Sequence, residues 1–98
     1  MNMQAIMKQA QKLQKDMLSA KNEIDNMEFI GESSLVKATL KGTKEIVKID
    51  IDAESLDKDD IEMLEDMIQV AVNEALSKID KITEEKMGKF NNSMPGLF

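Results

Sequence analysis

The sequence predicts a small α+β domain in the order helix, three antiparallel strands, helix. Three observations predict it. Residues 3–27 carry apolar side chains on an unbroken heptad rhythm, residues 29–51 alternate with a period of two around turn residues, and residues 57–88 return to helical spacing behind an acidic start. A three-stranded sheet with one apolar face needs a helical layer over it, which gives a small α+β domain.

In the first helix Met3, Ile6, Ala10, Leu13, Met17, Ala20, Ile24 and Met27 are separated by steps of 3, 4, 3, 4, 3, 4 and 3, with no Gly or Pro between them. Such an a/d seam suits helix-on-helix packing, within the chain or with a second copy, and its two alanines allow close approach. On the opposite side Lys8, Lys12, Lys15, Ser19 and Asn22 form a stripe, with Lys21 following. At a rise of about 1.5 Å per residue, Lys8 to Lys15 spans roughly 10 Å, a length compatible with a run of backbone phosphates. A solvated helix face accounts for the same lysines, and helical spacing alone does not choose between the two readings.

The strands follow. FIGESS at 29–34 reads as a short strand and turn, and residues 35–52 alternate on either side of Gly42-Thr43. Gly at the first central position of a two-residue loop favours a type II′ hairpin, a register that pairs Lys41 with Lys44, Lys37 with Lys48 and Ala38 with Val47. One face then carries Val36, Ala38, Leu40, Val47, Ile49 and Ile51 as core; the other carries Lys37, Thr39, Lys41, Lys44, Ile46 and Lys48. Lysines directly opposite each other repel. A polyanion over this face, counter-charges from elsewhere in the fold, or protection of a sheet edge would each explain them.

In the second helix Asp57 is placed to cap the free N–H groups, and Asp59, Asp60 and Glu62 suit the positive end of the helix dipole. Ile61, Leu64, Ile68, Ala71, Ala75, Ile79 and Ile82 form its apolar stripe, and Gly88 is the expected stop. The expected organisation is a single domain over 1–88 with a mobile C-terminal tail over 89–98.

Composition narrows the chemistry. There is no His, Cys or Arg, which removes most zinc sites, Ser–His triads, thiolate nucleophiles and guanidinium forks. No phosphate-cradling glycine loop is present, no pair of carboxylates has an apolar setting, and neither an enzyme nor a cofactor is expected. Asp50, Asp52 and Glu54 have the early spacing of a calcium loop, but Ser55 and Ile61 stand where its glycine and bidentate glutamate belong, so no metal is expected. The nine methionines suit core filling more than a peptide-binding surface. With only three aromatic residues, oligomerisation is a natural way to bury more apolar surface. No leader and no membrane-spanning run is evident, and the expected location is the cytoplasm.

Charge is sorted along the chain. The whole carries 13 Lys against 19 Asp and Glu, a net of −6. Residues 1–22 nevertheless hold four Lys and one Asp, residues 35–48 four Lys and one Glu, and residues 49–76 ten acids and one Lys. An acidic protein thus has two local cationic segments able to meet a polyanion.

MKQAQKLQKDM at 7–17, Gly31, LVK at 35–37, Gly42, VKIDID at 47–52, DIEMLEDMIQVAVNEAL at 60–76 and the closing MPGLF resemble, in order and spacing, the YbaB/EbfC family of bacterial nucleoid-associated proteins. The resemblance covers essentially the whole chain. It departs at Glu32-Ser33-Ser34, where the family usually has a glycine-rich turn, and at Ala53, where Pro is frequent. It implies an α-β-β-β-α protomer, a tweezers-like homodimer and binding of double-stranded DNA in the nucleoid, with effects on gene expression. It points to Lys8 and Lys12, with Lys15 just beyond, and more weakly to Lys78, Lys81 and Lys86. The hairpin lysines Lys37, Lys41, Lys44 and Lys48 join Lys21 as further expected DNA contacts on grounds of charge. No membrane or small-molecule partner is expected. The rival reading is a non-enzymatic protein-interaction module whose Met-rich seam grips a partner helix.

Overall fold

The computed structural model describes residues 2–93, with side-chain burial for 2–90. It contains α1 (Met3–Asp25), β1 (Glu28–Ser33), β2 (Val36–Lys41), β3 (Ile46–Ile51) and α2 (Ile61–Ser93), with short 3-10 turns at Ala53–Ser55 and Lys58–Asp60. The strands form one antiparallel sheet in the order β1-β2-β3. The fold is therefore the expected α+β arrangement.

Local chemistry sets the element ends. Asn2 caps α1, its Oδ1 accepting from the Gln4 N–H at 2.9 Å. At the other end the Asn26 side chain donates to the Asn22 carbonyl at 2.9 Å, while the Gly42 N–H donates to the Met27 carbonyl at 3.0 Å and ties the hairpin turn to the helix end. Ahead of α2, the Asp57 N–H donates to the Asp60 carboxylate at 2.9 Å, half of a capping box. Helix α2 then runs through Gly88 to Ser93, so the expected stop at Gly88 is corrected. Nothing approaches the position a Gly88 side chain would occupy, whereas Met87 and Phe90 on either side are buried against α1 and hold the helix together there. The last residues of the expected tail, 94–98, lie outside the described residues.

Two hydrophobic clusters lie along α2. In the first, Phe29, Val36, Ala38 and Leu40 from the sheet meet Ala71, Ala75 and Ile79. Small residues let α2 lie directly on β1: a Cβ added to Gly31 would overlap the Ala71 carbonyl and crowd the Ala75 backbone nitrogen. In the second, Ile24 of α1 meets Met87 and Phe90, with Leu13, Met17 and Ala20 around them; Ile82 touches both clusters. Helix α1 thus runs along the C-terminal half of α2 and meets the sheet at the hairpin turn, where Gly42 lies against the Ile24 backbone. The result is long, 71 × 19 × 14 Å, with a radius of gyration of 19.5 Å. A compact domain of this length has a radius of about 13 Å.

The hairpin differs from the expected register. The Lys41 N–H donates to the Glu45 carbonyl at 2.9 Å and the Lys44 N–H to the Lys41 carbonyl at 2.8 Å, which closes a three-residue loop, Gly42-Thr43-Lys44, with Lys44 at φ 77°. A bulge follows: Leu40 faces Ile46 but Thr39 faces Lys48, leaving Val47 as the extra residue. Lys37 therefore faces Asp50, not Lys48, and Ala38 faces Ile49, not Val47. Ile46, expected on the outer face, sits opposite buried Leu40, while Val47 leaves the core and is 46% exposed.

Candidate nucleic-acid interface

The eight lysines expected to contact DNA fall into two groups by their surroundings. Lys8, Lys12 and Lys15 are exposed on α1 and take part in no ion pair among the described residues. Residues 2–12 of the chain are exposed on every side, so this part of α1 projects beyond the packed structure as a free helical arm. The seam on its other side divides at the same point. Leu13, Met17, Ala20 and Ile24 pack toward α2, and Met27 packs against the sheet cluster, whereas Met3, Ile6 and Ala10 remain exposed. Lys21 belongs to the packed part and pairs with Asp25 at 3.2 Å.

The sheet lysines have carboxylates for neighbours. Lys41 lies opposite Glu28, Lys37 lies between Glu32 and Asp50, and Lys48 pairs with Asp50 at 3.1 Å. The outer sheet face consequently balances three lysines with three carboxylates. Lys44, on the turn, pairs with Asp80 of α2 at 3.3 Å. The like-charge pairs expected across the hairpin do not form, because loop and bulge together shift the register. Their counter-charges come from Glu28 and Glu32 of β1 and Asp80 of α2, which the hairpin sequence does not include, and from Asp50 of β3. Exposed pairs of this kind add little stability, but they cancel the cationic field the sequence suggested for this face.

The C-terminal lysines divide in the same way. Lys78 donates to the Ile30 carbonyl at 2.6 Å and lies 3.5 Å from Glu74, whose carboxylate accepts from the Glu32 N–H at 3.4 Å. Together they cover the β1 side of the sheet. Lys86 pairs with Glu23 at 3.2 Å and fastens α2 to α1. Lys81 is exposed and outside the ion pairs among the described residues.

Among the described residues no such cover reaches β3, the other edge. Ile46, Val47 and Ile51 on it are 51%, 46% and 39% exposed, an apolar strand with an open hydrogen-bonding side. Sequence reasoning put Ile46 on the outer face but placed Val47 and Ile51 in the core, and so missed these two as part of this surface. Among the described residues no cluster of acids is gathered as a metal site, and no helix is long and apolar enough to cross a membrane.

An elongated α+β chain with a projecting cationic helix has the build of a macromolecule-binding protein. The chain belongs to the YbaB/EbfC DNA-binding family, whose model matches residues 1–94. This is a DNA-binding family, not an enzyme family, and the chain is not an enzyme. It is similar to a nucleoid-associated protein of Lactococcus lactis subsp. lactis (strain IL1403), 47% identical over 97 residues that cover 97% of this chain and 98% of the relative. Nucleoid-associated proteins of Streptococcus pneumoniae (strain Hungary19A-6) and Ligilactobacillus salivarius (strain UCC118) are 46% and 44% identical, over 97% and 99% of this chain and 98% and 95% of their own lengths.

Proposed function

We propose that the chain binds double-stranded DNA as a homodimer, mainly through phosphate contacts from the α1 lysines and with low sequence specificity, and so acts on nucleoid organisation and gene expression in the bacterial cytoplasm. The observation that carries this reading is the contrast among lysines: Lys8, Lys12 and Lys15 stand outside any ion pair of the described residues on a projecting helix, while the sheet lysines are matched by carboxylates. Ammonium–phosphate contacts release counterions and are largely indifferent to sequence. With no Arg in the chain, the commonest guanine contact is absent. The net charge of −6 repels DNA from the rest of the surface, so binding is confined to one orientation and is steeply salt-dependent.

The dimer supplies a second arm. Strand β3 is the natural place for it, since a second copy would pair its open edge and cover Ile46, Val47 and Ile51, which nothing among the described residues covers. Two cationic arms on one particle reconcile an acidic protein with an acidic ligand.

Fluorescence anisotropy with a labelled duplex across a salt series tests the reading. Wild type should bind at low salt, and changing Lys8, Lys12 and Lys15 to Glu should weaken binding by about a hundredfold or more. Light scattering should give a dimer, and Val47→Asp with Ile51→Asp should give a monomer. If wild type does not bind duplex even at low salt, the exposed Met3 and Ile6 favour the rival reading, in which the seam grips a partner helix.

A further inference from the structure

We propose that Gln4 and Gln11 read adenine edges in the major groove, with Met7 against thymine methyl groups, so that the arm prefers A·T over G·C base pairs. This rests on the reading of α1 as the DNA-contacting helix and names what its bases would meet. The arm carries four glutamines, at 4, 9, 11 and 14. At about 3.6 residues per turn, only Gln4 and Gln11 fall beside the lysine row; Gln14 falls one row further, with Met7, and Gln9 on the far side of Lys12. The resulting exposed surface has three parallel rows: Lys8, Lys12 and Lys15, then Gln4 and Gln11, then Met7, which is 58% exposed.

Each row has a matching feature on a duplex. A helix with its side chains is about 10–12 Å across and the major groove is about 12 Å wide, so the arm, exposed at every residue from 3 to 10, fits the groove. Lysines at one flank then reach the phosphates while the glutamine row lies toward the floor. A Gln side chain accepts from adenine N6–H₂ and donates to adenine N7, a pairing that no other base offers in the same pattern. Gln4 and Gln11 lie roughly 10 Å apart along the axis, which corresponds to about three base steps. Met7, flexible and polarizable, adjoins the glutamines and offers an apolar surface to a thymine methyl. No hydrogen bond within the described residues engages the side-chain amide of either glutamine. Two such contacts set a preference for A·T-containing duplexes, not a defined recognition site.

The test compares wild type, Gln4→Ala/Gln11→Ala and Lys8→Gln/Lys12→Gln/Lys15→Gln on short A·T and G·C duplexes, and on an A·T duplex containing 7-deazaadenine, at one salt concentration. Alanine favours the helix, so the double variant retains α1. Wild type should bind the A·T duplex at least about fivefold tighter than the G·C duplex, and the double variant should lose that ratio while binding G·C unchanged. Replacing adenine N7 should reproduce the loss for wild type, and that modification leaves the minor groove untouched. Gln9→Ala should keep the ratio. No A·T preference in wild type, or a preference that survives the double variant or 7-deazaadenine, would overturn the inference. The lysine variant separates this from the underlying reading: it should weaken both duplexes equally, and an unchanged affinity would instead remove α1 from the DNA interface.

Discussion

The two ends of this molecule solve different problems with the same element, a helix carrying a heptad of apolar residues. At the sheet end α2 lies so close to β1 that Gly31 meets the backbone of Ala71 and Ala75, and the side chains of the sheet cluster are buried. At the arm end α1 continues its seam past Leu13 into solvent, leaving Met3 73% and Ile6 40% exposed. The charge follows the same division. Lysines near the sheet have carboxylate neighbours, whereas Lys8, Lys12 and Lys15 form no ion pair among the described residues. Packing has fixed one end, and the other has kept its groups available.

Breaking the sheet end should have the largest effect. Gly31→Ala forces a methyl group into the Ala71 carbonyl and should destabilise the chain by about 3 kcal/mol or more, read as a lowered denaturant midpoint. An unaltered midpoint would show that α2 does not sit directly on β1. Next comes the joint between α1 and α2. Phe90→Ala empties the centre of the second cluster and should cost about 3 kcal/mol of protection in α1 and the C-terminal turns of α2. Hydrogen exchange in the sheet should change far less; equal loss in both regions would merge the two clusters into one cooperative unit.

Two smaller changes should stabilise. Gly88→Ala, in the middle of a helical turn with open space around it, should add about 1 kcal/mol by removing the glycine penalty, and thermal denaturation should show the rise. Ser34 holds a left-handed conformation at φ 49° in the β1–β2 turn, so Ser34→Gly should add roughly 0.5 kcal/mol, and a loss of stability there would contradict the turn geometry.

The order of elements was legible in the sequence because periodicity is local. The α1 seam, the β2 alternation and the acidic start of α2 each declare themselves within a dozen residues. The hairpin was not, since a three-residue loop and a two-residue loop share the same Gly42-Thr43 signal, and a bulge at Val47 leaves no mark in composition. That one misjudged register also changed the charges that the hairpin lysines face. It set Lys37 opposite Lys48, where the fold sets it between Glu32 and Asp50. The part of the neutralisation that comes from Glu28 and Glu32 is a tertiary fact, invisible in a stretch of chain that omits β1. The arm lysines could be placed from sequence because helix geometry alone determines their row, but their freedom from ion pairs emerged only with the fold. The stop expected at Gly88 failed for a similar reason: buried Met87 and Phe90 outweigh the local preference of glycine.

The central claim is that DNA meets the arm and not the sheet. The slope of log affinity against log salt measures it most directly, because removing one lysine–phosphate interaction lowers the steepness of that slope by about 0.9. Two charge-neutralised variants should be compared with wild type on one duplex: Lys8→Gln/Lys12→Gln/Lys15→Gln, and Lys37→Gln/Lys41→Gln/Lys48→Gln. The arm variant should flatten the slope by about 2–3 units for each protomer's engaged arm, and the sheet variant should leave it close to wild type. A slope flattened by the sheet variant and unmoved by the arm variant would contradict the account.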